Sequence, residues 1–234
     1  MASSSRHSRF YMTTVIFLVE GCLLRVPRDP FESRSSIFRD MFLLPVGNEE
    51  EAEGLSDARP IRLEGVKLDD FEQLLKVLFP GSHGQQELPD GCAQWTSVLE
   101  LATLWAFDHA RKEAIEALAV LPITPVDKIV LATKYDIKDW MLPAINAMAQ
   151  RVEPIGVEDV NRLGLDFALK IASVREQITL VALYRNGRHP TQELAVGPRN
   201  CIIQTLDFTP MIHMIFDLTD SATKFDSSLF KGSG

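Results

Sequence analysis

The sequence predicts an α+β fold in which a small β-sheet is covered by helices and followed by a C-terminal helical extension. Three observations predict it. A β-branched, apolar run with hairpin punctuation lies near the start, and a short strand signal recurs at Ile61 to Leu63. From Val98 onward nearly every segment carries the helical period. The 234 residues are 46% apolar and 24% charged, ordinary globular usage, enough for one large domain or one domain with a satellite.

The hairpin reads as Thr14 to Val19 and Cys22 to Val26 around a Glu20-Gly21 turn. Asp29, Pro30 and Glu32 form a capping-box start, so a helix is expected from Pro30 to about Phe42, with Ile37, Phe38, Met41 and Phe42 on one face. Pro45 and Gly47 end it, and residues 46–60, with Glu49, Glu50, Glu51 and Glu53, read as a mobile acidic loop. After the strand, Asp69 and Glu72 look like a second capping box ahead of Phe71, Leu74, Leu75 and Leu78 at i, i+3, i+4, i+7 spacing. Residues 82–93 are a second loop, and Ser97 with Glu100 restarts helix. The expected helices are then Val98 to Ala106, Asp108 to Leu118, Pro125 to Tyr135, Asp139 to Arg151, Val157 to Leu163 and Asp166 to Tyr184. This organises the chain into a flexible 1–9, a domain over 10–120, a helical extension over 121–185, and a linker and tail over 186–234.

Charge and cysteine usage exclude several classes. A net charge of −8 disfavours direct nucleic-acid binding, which draws on Lys and Arg against phosphate, and disfavours anionic membranes. Cys22, Cys92 and Cys201 are scattered without CxxC spacing, so they read as reduced thiols rather than metal ligands. Arg6, His7 and Arg9 before the apolar run from Met12 to Val19 imitate a signal peptide. Glu20 follows at once and no small-x-small cleavage site appears, so a secretory leader is not expected. No stretch reaches the roughly 18 apolar residues of a membrane span.

Catalytic chemistry needs convergent polar groups. Asp108 and His109 are adjacent, and neighbours on a helix point about 100° apart, so they read as a helix cap and a surface residue. His83, His189 and His213 share no ligand spacing, and no phosphate loop, dinucleotide fingerprint or nucleophile elbow is present. Trp95, Trp105 and Trp140 read as core. Arg9, Arg25, Arg28, Arg34 and Arg39 make the first forty residues locally basic, which a solvated face explains best. No cofactor, metal or catalytic residue is expected.

Three blocks resemble a known family. Phe17-Leu18-Val19-Glu20-Gly21 through Leu24-Arg25-Val26-Pro27, then Ser36-Ile37-Phe38-Arg39-Asp40-Met41-Phe42, looks like the opening of a BTB/POZ domain. Pro60-Ile61-Arg62-Leu63 leading to Asp70-Phe71-Glu72-Gln73-Leu74-Leu75 is similar to its middle. Ala132-Thr133-Lys134-Tyr135-Asp136-Ile137-Lys138-Asp139-Trp140, continuing to Pro143-Ala144 and Leu163-Gly164-Leu165, resembles a run that follows the domain in fungal, basidiomycete-type members. The chain departs from the broader family at two places: Met12 and Thr13 stand near its usual strand-opening aspartate, and Pro27-Arg28 stands where a His-Arg pair is common.

The resemblance implies a non-enzymatic, cytoplasmic or nuclear module that forms homodimers or hetero-oligomers and recruits protein partners, as transcription regulators and scaffolds do. A narrower version is a substrate adaptor of a cullin ubiquitin ligase, although no substrate-reading repeat is present. By analogy the self-association face includes the first helix: Phe31, Ile37, Phe38, Arg39, Met41 and Phe42. A helix stripe of this kind ordinarily packs as core, which leaves Phe31 and Arg39 as the expected surface positions. The reading from another class is a small helical enzyme using His109 or Cys92, which requires a second titratable group within hydrogen-bond reach of either.

Overall fold

A computed structural model describes residues 7, 11–44, 53–80, 88–185 and 206–216, with the side chains of the long helix that ends at Arg185 described through residue 176. The chain divides into two compact units, Met1–Pro122 and Ile123–Gly234. The fold is mixed α and β, with three strands and ten helices among the described residues.

Strands β1 (Thr14–Val19) and β2 (Cys22–Pro27) form the expected hairpin. Glu20 and Gly21 both take positive φ, +46° and +82°, the paired left-handed geometry whose twist suits a two-residue hairpin. Strand β3 (Ile61–Arg62) runs parallel to β1, giving the order β2-β1-β3. Val15, Phe17 and Val19 of β1 are buried, and their bulky side chains seed the core of the first unit.

Where one helix was expected over Pro30 to Phe42 there are two, α1 (Asp29–Arg34) and α2 (Ser36–Leu43). Ser35 breaks them in extended geometry, φ −126° and ψ 123°. Its buried hydroxyl accepts from the Phe38 N–H at 3.1 Å and donates to the Trp105 carbonyl at 2.6 Å. An N-cap with a second, long-range partner thus outweighs helix continuity through the serine-rich Ser33 to Ser36. Asp29 is the first helical residue rather than the cap, a position held by Arg28.

Three other expected caps are also displaced. Helix α3 (Leu68–Leu78) starts one residue before Asp69, and its cap comes from the hairpin turn, where the Glu20 carboxylate accepts from the Leu68 N–H at 2.9 Å. A carboxylate there also complements the positive helix end. Helix α4 (Cys92–Leu104) starts well before Ser97, whose hydroxyl instead reaches across to Asp70 on α3. In α5 (Asp108–Val120) the cap position belongs to Phe107, and Asp108 is already helical.

The second unit holds α6 (Pro125–Tyr135), α7 (Lys138–Gln150), α8 (Val157–Leu163), α9 (Leu165–Arg185) and α10 (Thr209–Phe216). Thr124 caps α6 as expected. Helix α10 lies in what reads as linker and tail. Its Ile212 and Phe216 are buried, the Phe216 ring meeting Phe167 of α9 at a tilt with centroids 4.9 Å apart, and the Phe208 N–H donates to Asn146 of α7. Buried Arg175 of α9 donates to the Met148 and Val152 carbonyls, satisfying the C-terminal end of α7.

A charged ladder ties α6 and α8 to the turn after α7. Arg151 grips Asp159 with its two terminal guanidinium nitrogens, while Asp159 also accepts from the Gly156 N–H at 2.9 Å. Next to it Asp127 takes the Thr124 hydroxyl and the Arg162 guanidinium. The Arg151 hydrogen bonds hold the Asp159 carboxyl below its usual range against the opposing effect of burial. Burial pushes Asp127 up, but Thr124 and Arg162 together bring it below its usual value. A carboxyl whose folded pKa is depressed contributes stability above its unfolded pKa, and that contribution is lost as pH falls through the folded value. The wild type is therefore expected to melt higher than Asp159→Asn at pH 7, with the gap closing as pH drops below about 4. Circular-dichroism melts from pH 7 to 2.5 check this, and a gap independent of pH would show that the Asp159 charge contributes nothing.

Candidate interaction surface

Helix α2 carries two apolar stripes because its eight residues hold more apolar side chains than one face can bury. Phe38 lies fully in the core, against Phe17, Phe31, Trp105 and Phe107, and Phe42 half-follows it one turn on. Ile37, Met41 and Leu44 stand at i, i+4, i+7 and form a second ridge about a quarter-turn or more away. Ile37 is 46% exposed and Leu44 66%, while Met41 is half-buried; Leu43, 69% exposed, extends the apolar surface at the helix end. Arg39 and Asp40, exposed and 3.8 Å apart, lie outside the ridge. Phe42 is covered on its solvent side by the Arg28 guanidinium, 4.1 Å above the ring and itself paired with Glu32.

The sequence-derived residues therefore separate into two groups. Ile37 and Arg39 reach the surface, and Met41 and Phe42 reach it in part. Phe31, expected at the surface, is fully buried: it lies in the first turn of α1 and meets five aromatic rings. Phe38 is buried as well, so neither can contact a partner without unfolding. Leu43 and Leu44 belong to the surface but sit next to Pro45, a helix stop that hides their continuity with Ile37 in the sequence. The i, i+7 spacing of Ile37 and Leu44 was the available signal.

His109 is exposed on α5, its Nδ1 3.6 Å from Glu113 Oε1, an i, i+4 surface pair beyond hydrogen-bond reach. It edges a shallow hollow, with room for about one water at about 10 Å³, lined also by Arg34, Val77, Leu78, Phe107 and Ala110. Cys92 opens α4 half-buried, where its carbonyl accepts from Thr96. Among the described residues no group of three His, Cys, Asp or Glu side chains is placed to hold a metal ion. No helix among them is long and apolar enough to cross a membrane.

The basic residues near the start do not converge. Arg25 pairs with Asp57 at 2.9 Å, Arg28 with Glu32 and Arg39 with Asp40, while Arg34 lies at the hollow. Trp105 is core, and Trp95 and Trp140 are half-buried. Arg9, His83, His189 and Cys201 lie outside the described residues, as do parts of both expected loops. No protein-family model matches the chain, and no curated protein matches it.

Proposed function

We propose that this chain is a BTB/POZ-like interaction module that associates with itself and recruits other proteins, with no reaction of its own. The observation that carries the reading is the Ile37, Met41, Leu44 ridge. An apolar row with exposed Ile37 and Leu44 at its ends and half-buried Met41 between them, along α2 and its C-cap and beside a filled core stripe, is the kind of surface that contacts between proteins cover. The order of hairpin, helices, short strand and further helices agrees with what the resemblance implies, and the ridge lies on the segment to which the resemblance assigns self-association. The charged residues Arg39 and Asp40 beside it suit a polar rim.

Light scattering over a concentration series tests the reading. The wild type is expected above the chain mass, and Ile37→Asp/Leu44→Asp is expected to lower the assembly mass at unchanged circular dichroism, because neither side chain fills the core. A wild type that stays at the chain mass at every concentration removes the self-association reading. A variant with the wild-type mass moves the contact off α2.

A further inference from the structure

Helix α10 holds to α7 and α9 through one apolar stripe and through its backbone. Phe208, Ile212 and Phe216, spaced i, i+4, i+8, are all buried, while Met214 on the opposite side is 63% exposed. The stripe rests on α7 and α9, with the Phe216 ring against Phe167 and the Lys170 ammonium 5.6 Å from the same ring. Ahead of the helix, two side chains one turn apart on α7 take main-chain groups. Asn146 Oδ1 accepts from the Phe208 N–H at 2.9 Å, and Gln150 Nε2 donates to the Leu206 carbonyl at 2.8 Å. Such groups are common to almost every residue, so these two contacts read the path of a chain and leave selectivity to the stripe. The segment also carries its own helix start, because Asp207 accepts from the Thr209 N–H at 2.9 Å and Pro210 stands in the first turn. A backbone-read entry followed by apolar anchors at helical spacing is how grooves recognise helical peptides.

Eight residues are too few to hold a helix without tertiary support, and residues 186–205 separate α10 in the chain from the helices it rests on. Helix α8 is as short, but it joins α9 directly at Gly164 and is pinned by the Arg151–Asp159 and Arg162–Asp127 pairs. Helix α10 is thus the element of this unit that opens most readily. We propose that α7 and α9 form a peptide site which α10 fills in cis, and that a partner protein binds there by displacing it. The partner's segment has the chemistry of the one it replaces: a non-helical entry, then a short helix with bulky apolar side chains at three positions four apart. A second copy's α10 would only repeat the contacts the cis helix already makes, with the added entropic cost of joining two chains. Helix α10 thereby acts as an autoinhibitory plug, and the apparent affinity of the site is its intrinsic affinity scaled by the fraction of molecules in which α10 is out. The inference rests on the reading that the chain recruits other proteins. It is independent of self-association through α2, which lies in the other unit.

A fluorescein-labelled peptide of residues 206–217, titrated by anisotropy into the full chain, tests this. Ile212→Asp/Phe216→Asp vacates the seat and is expected to bind the peptide at least about tenfold more tightly than the wild type, whose binding is weaker but saturable. Phe167→Ala in that background is expected to weaken it again by about tenfold. Hydrogen exchange on the wild type gives a reading that needs no variant. The amides of Ile212 to Phe216 are expected to exchange at least about tenfold faster than those of Ile145 to Ala149 in α7. Four results each overturn the proposal: a wild type that takes up no peptide, a released variant that binds no more tightly, a released variant that has lost helix by circular dichroism beyond α10 itself, and α10 amides as slow as those of α7. An assembly mass that falls when α10 is released, with α2 unaltered, makes a second copy's α10 the occupant and overturns the partner reading as well. The α2 ridge is read from its own variants, so it stands or falls separately.

Discussion

Replacing Phe31 with alanine is expected to destabilise the first unit by about 3–5 kcal/mol, the range for emptying a fully packed aromatic site. The ring is fully buried, with its centroid 5.0 Å from those of both Phe17 and Phe38, 5.8 Å from Phe107, 6.2 Å from Phe79 and 6.4 Å from Phe71. Those neighbours come from β1, α2, α3 and the segments following α3 and α4, so no single one can move in to fill the space. Several of the rings also meet edge to face, an arrangement worth more than area alone and lost on truncation. Urea unfolding followed by tryptophan fluorescence reads the effect, because Trp105 lies in the same cluster, 5.4 Å from Phe38 and 5.8 Å from Phe71. A loss below about 1 kcal/mol would mean that the cluster collapses around the gap, contrary to the rigid surroundings argued above. Ile37→Ala, on the exposed ridge of α2, is expected to leave stability within about 0.5 kcal/mol, the usual range for surface substitutions.

That contrast also shows how much of the architecture was legible beforehand. Hairpin and helix identities are local: β-branched runs, a two-residue turn and the Thr124-Pro125 start each act within a few residues. Helix α6 and helix α8 accordingly begin and end where their sequence signals lie. The displaced caps share another cause. Leu68 is served by Glu20, 48 positions earlier, and Ser35 is anchored by Trp105, 70 positions later. Periodicity and capping boxes carry no information about such partners. Asp69 and Ser97 satisfy the local rule for a helix start, yet tertiary contacts decide where α3 and α4 begin. Helix α10 was hidden for a related reason: eight residues are too few for helix formation by propensity alone, and burial of Ile212 and Phe216 holds it.

The candidate surface was legible by segment and not by residue. A stripe such as Ile37, Phe38, Met41, Phe42 reads as one face, but its members are 100° apart in pairs, and α2 turns the Phe38 side inward and the Ile37 side outward, with Met41 and Phe42 half-buried between. Which side points inward follows from the direction in which the chain leaves Ser35, a dihedral that the sequence does not announce. Phe31 fails as a surface position for a plainer reason. A phenylalanine at the start of a short helix directly after a strand has nowhere to go but under the sheet, where five further phenylalanines meet it.

The second large effect is expected at Gly54, where the loop before β3 locks onto the sheet. Its N–H donates to the Arg59 carbonyl at 2.7 Å and its carbonyl accepts from Ile16 at 2.8 Å, so the residue must approach β1 closely. It does so at φ +82°, and a Cβ placed there would stand 2.8 Å from Ile61 Cδ1 and 2.9 Å from Val15 Cγ2. Gly54→Ala therefore meets two penalties, about 1–2 kcal/mol for left-handed backbone and about 1–3 kcal/mol for overpacking. Gly65→Ala separates them. Gly65 has φ +75° with nothing within 4 Å of its Cβ position, so only the backbone penalty applies there. Urea titrations of both variants are expected to place Gly54→Ala clearly below Gly65→Ala, and Ile61→Val, which removes the Cδ1 methyl, to recover part of the difference. Equal losses at the two glycines, or no recovery with Ile61→Val, would show that the loop yields to the added methyl and that Gly54 is needed for its φ alone.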